Sequence, residues 1–97
     1  MPTYVHLVNY TEQGIKAVKD TVKRSEAFKI AAKKHGCTVK EISWVHGPYD
    51  SVLIIESPDD VTATALAMSL AKLGNVRTQT LRAFSAAEMA KILEKVE

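Results

Sequence analysis

The sequence predicts an α+β fold: a four-stranded antiparallel sheet with two helices on one face and a third helix added at the C-terminus. Three observations lead there. Residues 4–10 alternate in side-chain character, the period of a strand. Two runs of strand-forming residues, 38–45 and 51–56, flank the turn Gly47-Pro48-Tyr49-Asp50 and read as a hairpin. Helical patterns separate the first strand from this hairpin and the hairpin from a last strand, giving the order β-α-β-β-α-β-α. The right-handed crossover rule folds two such split units into a ferredoxin-like plait.

Each element has a local cause. In the first strand Val5 and Leu7 fall on one side, and Tyr4, His6, Val8 and Tyr10 on the other. Thr11 is a capping residue for a helix with Ile15, Val18 and Val22 at helical spacing. That stripe loses phase after Val22 and resumes with Phe28, Ala31 and Ala32 until Gly36, and the capping types Asp20 and Thr21 predict a break between. Ser57-Pro58-Asp59-Asp60 reads as a helix start, with serine as cap, proline in the first turn and acids at the positive end of the dipole. This helix carries Val61, Ala65, Leu66, Met68, Leu70 and Leu73, and ends at Gly74. Residues 75–84 form a polar strand that sets Arg77 and Gln79 against Thr78, Thr80 and Arg82. Ser85-Ala86-Ala87-Glu88 is a capping box, and Met89, Ile92, Leu93 and Val96 make one apolar face behind it. A plait leaves one sheet face uncovered. The face expected there carries Tyr4, His6, Val8 and Tyr10, too apolar to stay wet, so a second copy of the chain is expected to cover it.

Composition narrows the function. Ninety-seven residues with 46% apolar and 25% charged side chains are expected to form a single domain over residues 1–97. The net charge of +2 gives no strong pull toward nucleic acid or anionic lipid. The single Cys37 excludes an internal disulfide and suits a reducing compartment. No signal-like start and no apolar run near the roughly 20 residues that span a bilayer is present, so a cytoplasmic protein without membrane contact is expected. RNA-recognition domains share the plait but place stacking aromatics on the central strands, and Ser51-Val52-Leu53-Ile54-Ile55-Glu56 has none. Glycine-rich phosphate loops and nucleophile-elbow patterns are absent, and no cofactor is expected.

Four stretches carry a family likeness: Thr11-Glu12-Gln13-Gly14-Ile15-Lys16, Gly47-Pro48-Tyr49-Asp50, Ser57-Pro58-Asp59-Asp60, and the run from Gly74-Asn75-Val76 to Arg82-Ala83-Phe84. They span nearly the whole chain, which in these residues resembles the GYD-domain family of small bacterial and archaeal proteins. Pro48 separates the glycine from Tyr49-Asp50 at a position that family leaves variable. The resemblance implies a ferredoxin-like fold, assembled as a dimeric α/β barrel, and brings no established reaction with it.

The candidate site residues each have two readings. In the turn, Gly47 and Pro48 close the hairpin while the Asp50 carboxylate accepts backbone N–H groups; alternatively Asp50 is a general base or ligand anchor with the Tyr49 hydroxyl as donor. The turn chemistry itself demands these residue types, which favours structure. His6 and His46 are candidates to face one pocket, but no neighbouring acid or cysteine has metal-motif spacing, so no metal site is expected. Arg77 and Arg82 fall on opposite strand faces, each suited either to gripping an anion or to an interface ion pair. Lys16, Lys19 and Lys23, with Lys29, Lys33 and Lys34, read as a solvated surface, and Cys37 has no activating neighbour in sequence.

These features favour a homo-oligomeric, non-enzymatic module that is structural or binds a small organic or anionic ligand. The alternative is a small cofactor-independent enzyme of the dimeric barrel type, oxygenase- or isomerase-like. There His6, Tyr49, Asp50 and one arginine on the open sheet face would move a proton and hold the resulting anion.

Overall fold

In the computed structural model, which describes residues 1–97, four strands form one sheet: β1 (Thr3–Tyr10), β2 (Thr38–Trp44), β3 (Ser51–Glu56) and β4 (Val76–Ala83). Their spatial order is β2-β3-β1-β4, and every neighbouring pair is antiparallel. This is the ferredoxin-like plait that the element order predicts.

The first helical segment divides where Asp20 and Thr21 predict a break. Helix α1 (Glu12–Lys16) gives way to a short 3-10 turn (Val18–Asp20) and then α2 (Thr21–Lys34). Thr11 caps α1, its side chain accepting from the Gly14 N–H. Neither residue at the break caps α2 as expected: Asp20 makes no side-chain cap bond, and the Thr21 hydroxyl instead meets Tyr10 and Trp44. The break also turns Ile15, Val18 and Val22 outward, and all three are exposed. Helix α3 (Asp60–Ala71) starts two residues later than a Ser57 cap suggests. Asp59 is its cap, accepting from Thr62, while buried Ser57 donates to the Asp59 carbonyl. The capping box of α4 (Ala86–Leu93) forms as expected between Ser85 and Glu88.

The core lies between the sheet and the two central helices. Val8, Leu53 and Ile55 from the strands meet Phe28 and Ala32 of α2, Leu66 of α3 and Cys37. Each large aliphatic buried this way contributes about 1.5–3 kcal/mol. This arrangement corrects the expected face of β1. Tyr4, His6 and Val8 are buried beneath the helices, not on the open side. Register then fixes the open side, because directly paired residues share a face. Val5 pairs with Ile54 and Leu81, Leu7 with Val52 and Gln79, and Asn9 with Arg77.

Helix α4 differs from the others in having no buried residue. Met89 and Leu93 of its apolar stripe stay exposed, as does Val96 just beyond it. The molecule is correspondingly elongated, with principal extents of 49 × 31 × 19 Å.

Candidate functional site

The hairpin turn is built from its backbone outward. Gly47 holds φ at +122°, a conformation that side-chain-bearing residues rarely adopt, and Pro48 follows it. Val45 N–H donates to the Asp50 carbonyl at 2.9 Å, closing the base of the loop. Asp50 N–H donates to the Val8 carbonyl at 2.9 Å, and its Oδ2 accepts the Tyr10 N–H at 2.8 Å. The Asp50 carboxylate thus extends the pairing between the turn and the end of β1. Asn9 Nδ2 adds a bond of 2.8 Å to the Pro48 carbonyl.

Tyr49 goes elsewhere. Its hydroxyl donates to Gln79 Oε1 at 3.1 Å. Since β1 lies between β3 and β4, the tyrosine reaches across the end of β1 on the open face. His46 and Gly47 are exposed beside it.

His6 and Arg82 occupy the opposite face. His6 is 2% exposed, and its Nδ1 shares a hydrogen bond of 2.9 Å with the Thr80 hydroxyl. Its Nε2 is buried without a partner. Burial disfavours the charged imidazole and lowers the pKa of His6 from its ordinary value of 6.5. Arg82 stacks over the rings of Phe84 and Tyr4, at 4.6 and 5.7 Å from their centroids. Its guanidinium also donates to Glu88 at 3.0 Å and to the Ala83 carbonyl, tying the start of α4 to β4. The backbone N–H of Ser85 and the Arg82 guanidinium together hold the Glu88 carboxyl below its usual pKa. The Tyr4 hydroxyl donates to the Asp60 carboxylate, a bond that pushes the phenol up to about 12.

The candidate residues therefore divide between the two faces. Tyr49 and Arg77 belong to the open one, with Asp50 engaged by backbone at its end. His6 and Arg82 belong to the helix-covered one, each with its own partners. Arg77 and Arg82 do oppose one another, as the strand alternation predicts. No three His, Cys, Asp or Glu side chains lie close enough to share a metal ion.

A feature that the residue-by-residue reading misses is the open face as a whole. Val5, Leu7, Val52, Ile54 and Leu81 come together across β3, β1 and β4. Leu81 is 49% exposed, and the other four are half-buried. Glu41, Ser43, Arg77 and Gln79 stand around them on the same side of the sheet. The signal lay in strand parity: Val5 and Leu7 are as apolar as Val8, so β1 is apolar on both sides.

No helix is long and apolar enough to cross a membrane. No solved structure matches the chain. A protein of Thermus thermophilus, described as a glutamine synthetase and cystathionine beta-lyase binding protein, is 32% identical over 90 residues, which cover 92% of this chain and 95% of that protein. The model of the GYD domain matches residues 4–93. With a plait of the expected topology, a match over nearly the whole chain and a relative aligned almost end to end, the protein belongs to the GYD domain family.

Proposed function

We propose that the protein is a non-enzymatic binding module that pairs with a second copy of itself and engages a partner protein. The observation that carries this reading is the uncovered aliphatic face of Val5, Leu7, Val52, Ile54 and Leu81. A contiguous apolar patch with a polar surround marks an interaction surface on a small domain. A second copy offers the simplest self-complementary cover and gives the dimeric α/β-barrel arrangement. In this reading Tyr49, Arg77 and the exposed His46 beside Gly47 are interface contacts, while Asp50, His6 and Arg82 hold the scaffold. The relative named for binding two enzymes supports a protein partner, and those two enzymes are the first candidates. Buried, unpaired Cys37 suits a reducing compartment, so we place the module in the cytoplasm.

Light scattering coupled to size exclusion tests self-association, with Leu7→Lys and Ile54→Lys as interface variants. The wild type is expected to elute as a dimer or larger, and each variant as a monomer with an unchanged circular dichroism spectrum. A wild type that stays monomeric at high concentration would refute the self-association. Capture experiments with purified glutamine synthetase and cystathionine beta-lyase test the partner: retention by the wild type and loss in the variants is expected.

A further inference from the structure

On the helix-covered side, α2 and α3 stand apart over the sheet and leave a cleft of about 380 Å³. Protein interiors are otherwise close-packed, so an opening of this size in the core forgoes many contacts. Its volume falls within the range of small-molecule pockets, about 300–1,000 Å³. Val8, Leu53 and Val76 form the floor, and Phe28, Leu66 and Leu70 the walls.

One end of the cleft is polar. The Tyr10 hydroxyl lies 2.9 Å from Thr21 Oγ1, and Trp44 Nε1 donates to the same oxygen at 3.0 Å. Arg24 and Ser25 follow Thr21 by one turn of α2 and line the same cleft. A helix that only packed on the sheet would place apolar side chains at these three positions. Arg24 is the one permanently charged residue of the lining, which includes no Asp or Glu. Its side chain is 31% exposed, and it makes only a long ion pair of 4.0 Å with Asp20. A partly buried arginine whose one acidic partner is held at this long distance keeps donors for a carboxylate, which a guanidinium binds through two parallel N–H bonds.

From the apolar body of this cleft and the cationic end of its lining, we infer that it binds a small amphipathic carboxylate, with the chain between α2 and α3 and the head group at Arg24. The site lies on the other side of the sheet from the proposed protein interface and does not depend on it.

Trp44 is the sole tryptophan and lines the cleft, so its emission reports occupancy directly. Decanoate, below its micelle concentration, serves as the probe, with decanol as the uncharged control. Saturable quenching or shift of the Trp44 emission by decanoate is expected. Binding should weaken about tenfold or more for decanol and for Arg24→Gln, as expected for loss of a charge-assisted hydrogen bond. Ser69→Phe, which fills the cleft from α3, should abolish it. Equal affinity of decanoate and decanol, or unchanged affinity in Arg24→Gln, would overturn the carboxylate assignment. Undiminished binding to a folded Ser69→Phe would place the probe outside the cleft and overturn the site. Binding seen only in Ile92→Glu would show instead that the α4 stripe of another copy fills the cleft, and would also overturn it.

Discussion

The carbonyl oxygen of Asn75 occupies the space that a side chain on Gly14 would need: a methyl group there would stand 1.9 Å from it. The approach joins the two stretches that flank the sheet at this end. Thr11 N–H donates to the Asn75 carbonyl at 3.0 Å, Thr11 Oγ1 donates to the Gly74 carbonyl, and Gln13 Nε2 donates to Asn75 Oδ1 at 2.8 Å. The loop leaving α3 is thereby clasped to α1 before β4 begins.

Gly14→Ala sets two effects against each other. In open space alanine would stabilise a helix by about 1 kcal/mol. Here the obstacle is backbone, which yields only by moving the Thr11–Asn75 joint, and overpacking of that kind costs about 1–3 kcal/mol. Net destabilisation in urea unfolding is expected, and a more stable variant would show that the close approach is absent.

Asp50→Asn probes the turn. The substitution weakens the bond that Oδ2 accepts from Tyr10 N–H, and a hydrogen bond to a charged group is worth about 1.5–3 kcal/mol. The midpoint of denaturation should drop accordingly. If stability is untouched while partner capture is lost, Asp50 acts at the interface and not in the frame.

His6 predicts a pH dependence whose sign follows from burial. Its folded pKa is lowered from 6.5, so the unfolded chain takes up the proton first as pH falls. Stability is full above the unfolded value and is lost as pH drops below it, by up to about 1.4 kcal/mol per pH unit for one group. His6→Gln should flatten the profile of unfolding free energy between about pH 7 and pH 5. Parallel profiles for the two proteins would exclude His6 as the source.

Ser85→Ala removes the side chain that accepts from Glu88 N–H at 3.1 Å, half of the capping box of α4. Because α4 buries no residue against its own domain, the loss should stay local. Hydrogen exchange should quicken across Ala86–Leu93, with protection in β1 and β3 unchanged. Weakened protection throughout would show that α4 supports the sheet.

Much of this fold is legible along the chain because it depends on short-range chemistry. Alternation marks β1, the Gly47-Pro48 pair marks the hairpin, Asp20-Thr21 marks the helix break, and Ser85 with Glu88 marks the last cap. The misread points share a different cause. Ile15, Val18 and Val22 keep a helical period, but the 3-10 turn rotates them away from the core. Thr21, Arg24 and Ser25 appear as a lapse in the apolar stripe of α2, and their role as the polar end of a cleft shows only once Tyr10, Trp44 and Asn75 are brought beside them.

The sequence by itself determined the order of elements and the plait, since each rests on patterns of period, turn and cap within a few residues, and its four matching stretches carried the family resemblance. It also determined which side chains of each strand share a face. Which of those faces the helices cover was decided only by the tertiary structure. Alternation divides β1 into Tyr4, His6 and Val8 against Val5 and Leu7, but both sets are apolar enough to be buried. The choice falls to long-range packing: Phe28, Ala32 and Leu66 pack in one cluster with Val8, Leu53 and Ile55, and that leaves Val5, Leu7, Val52, Ile54 and Leu81 on the open side.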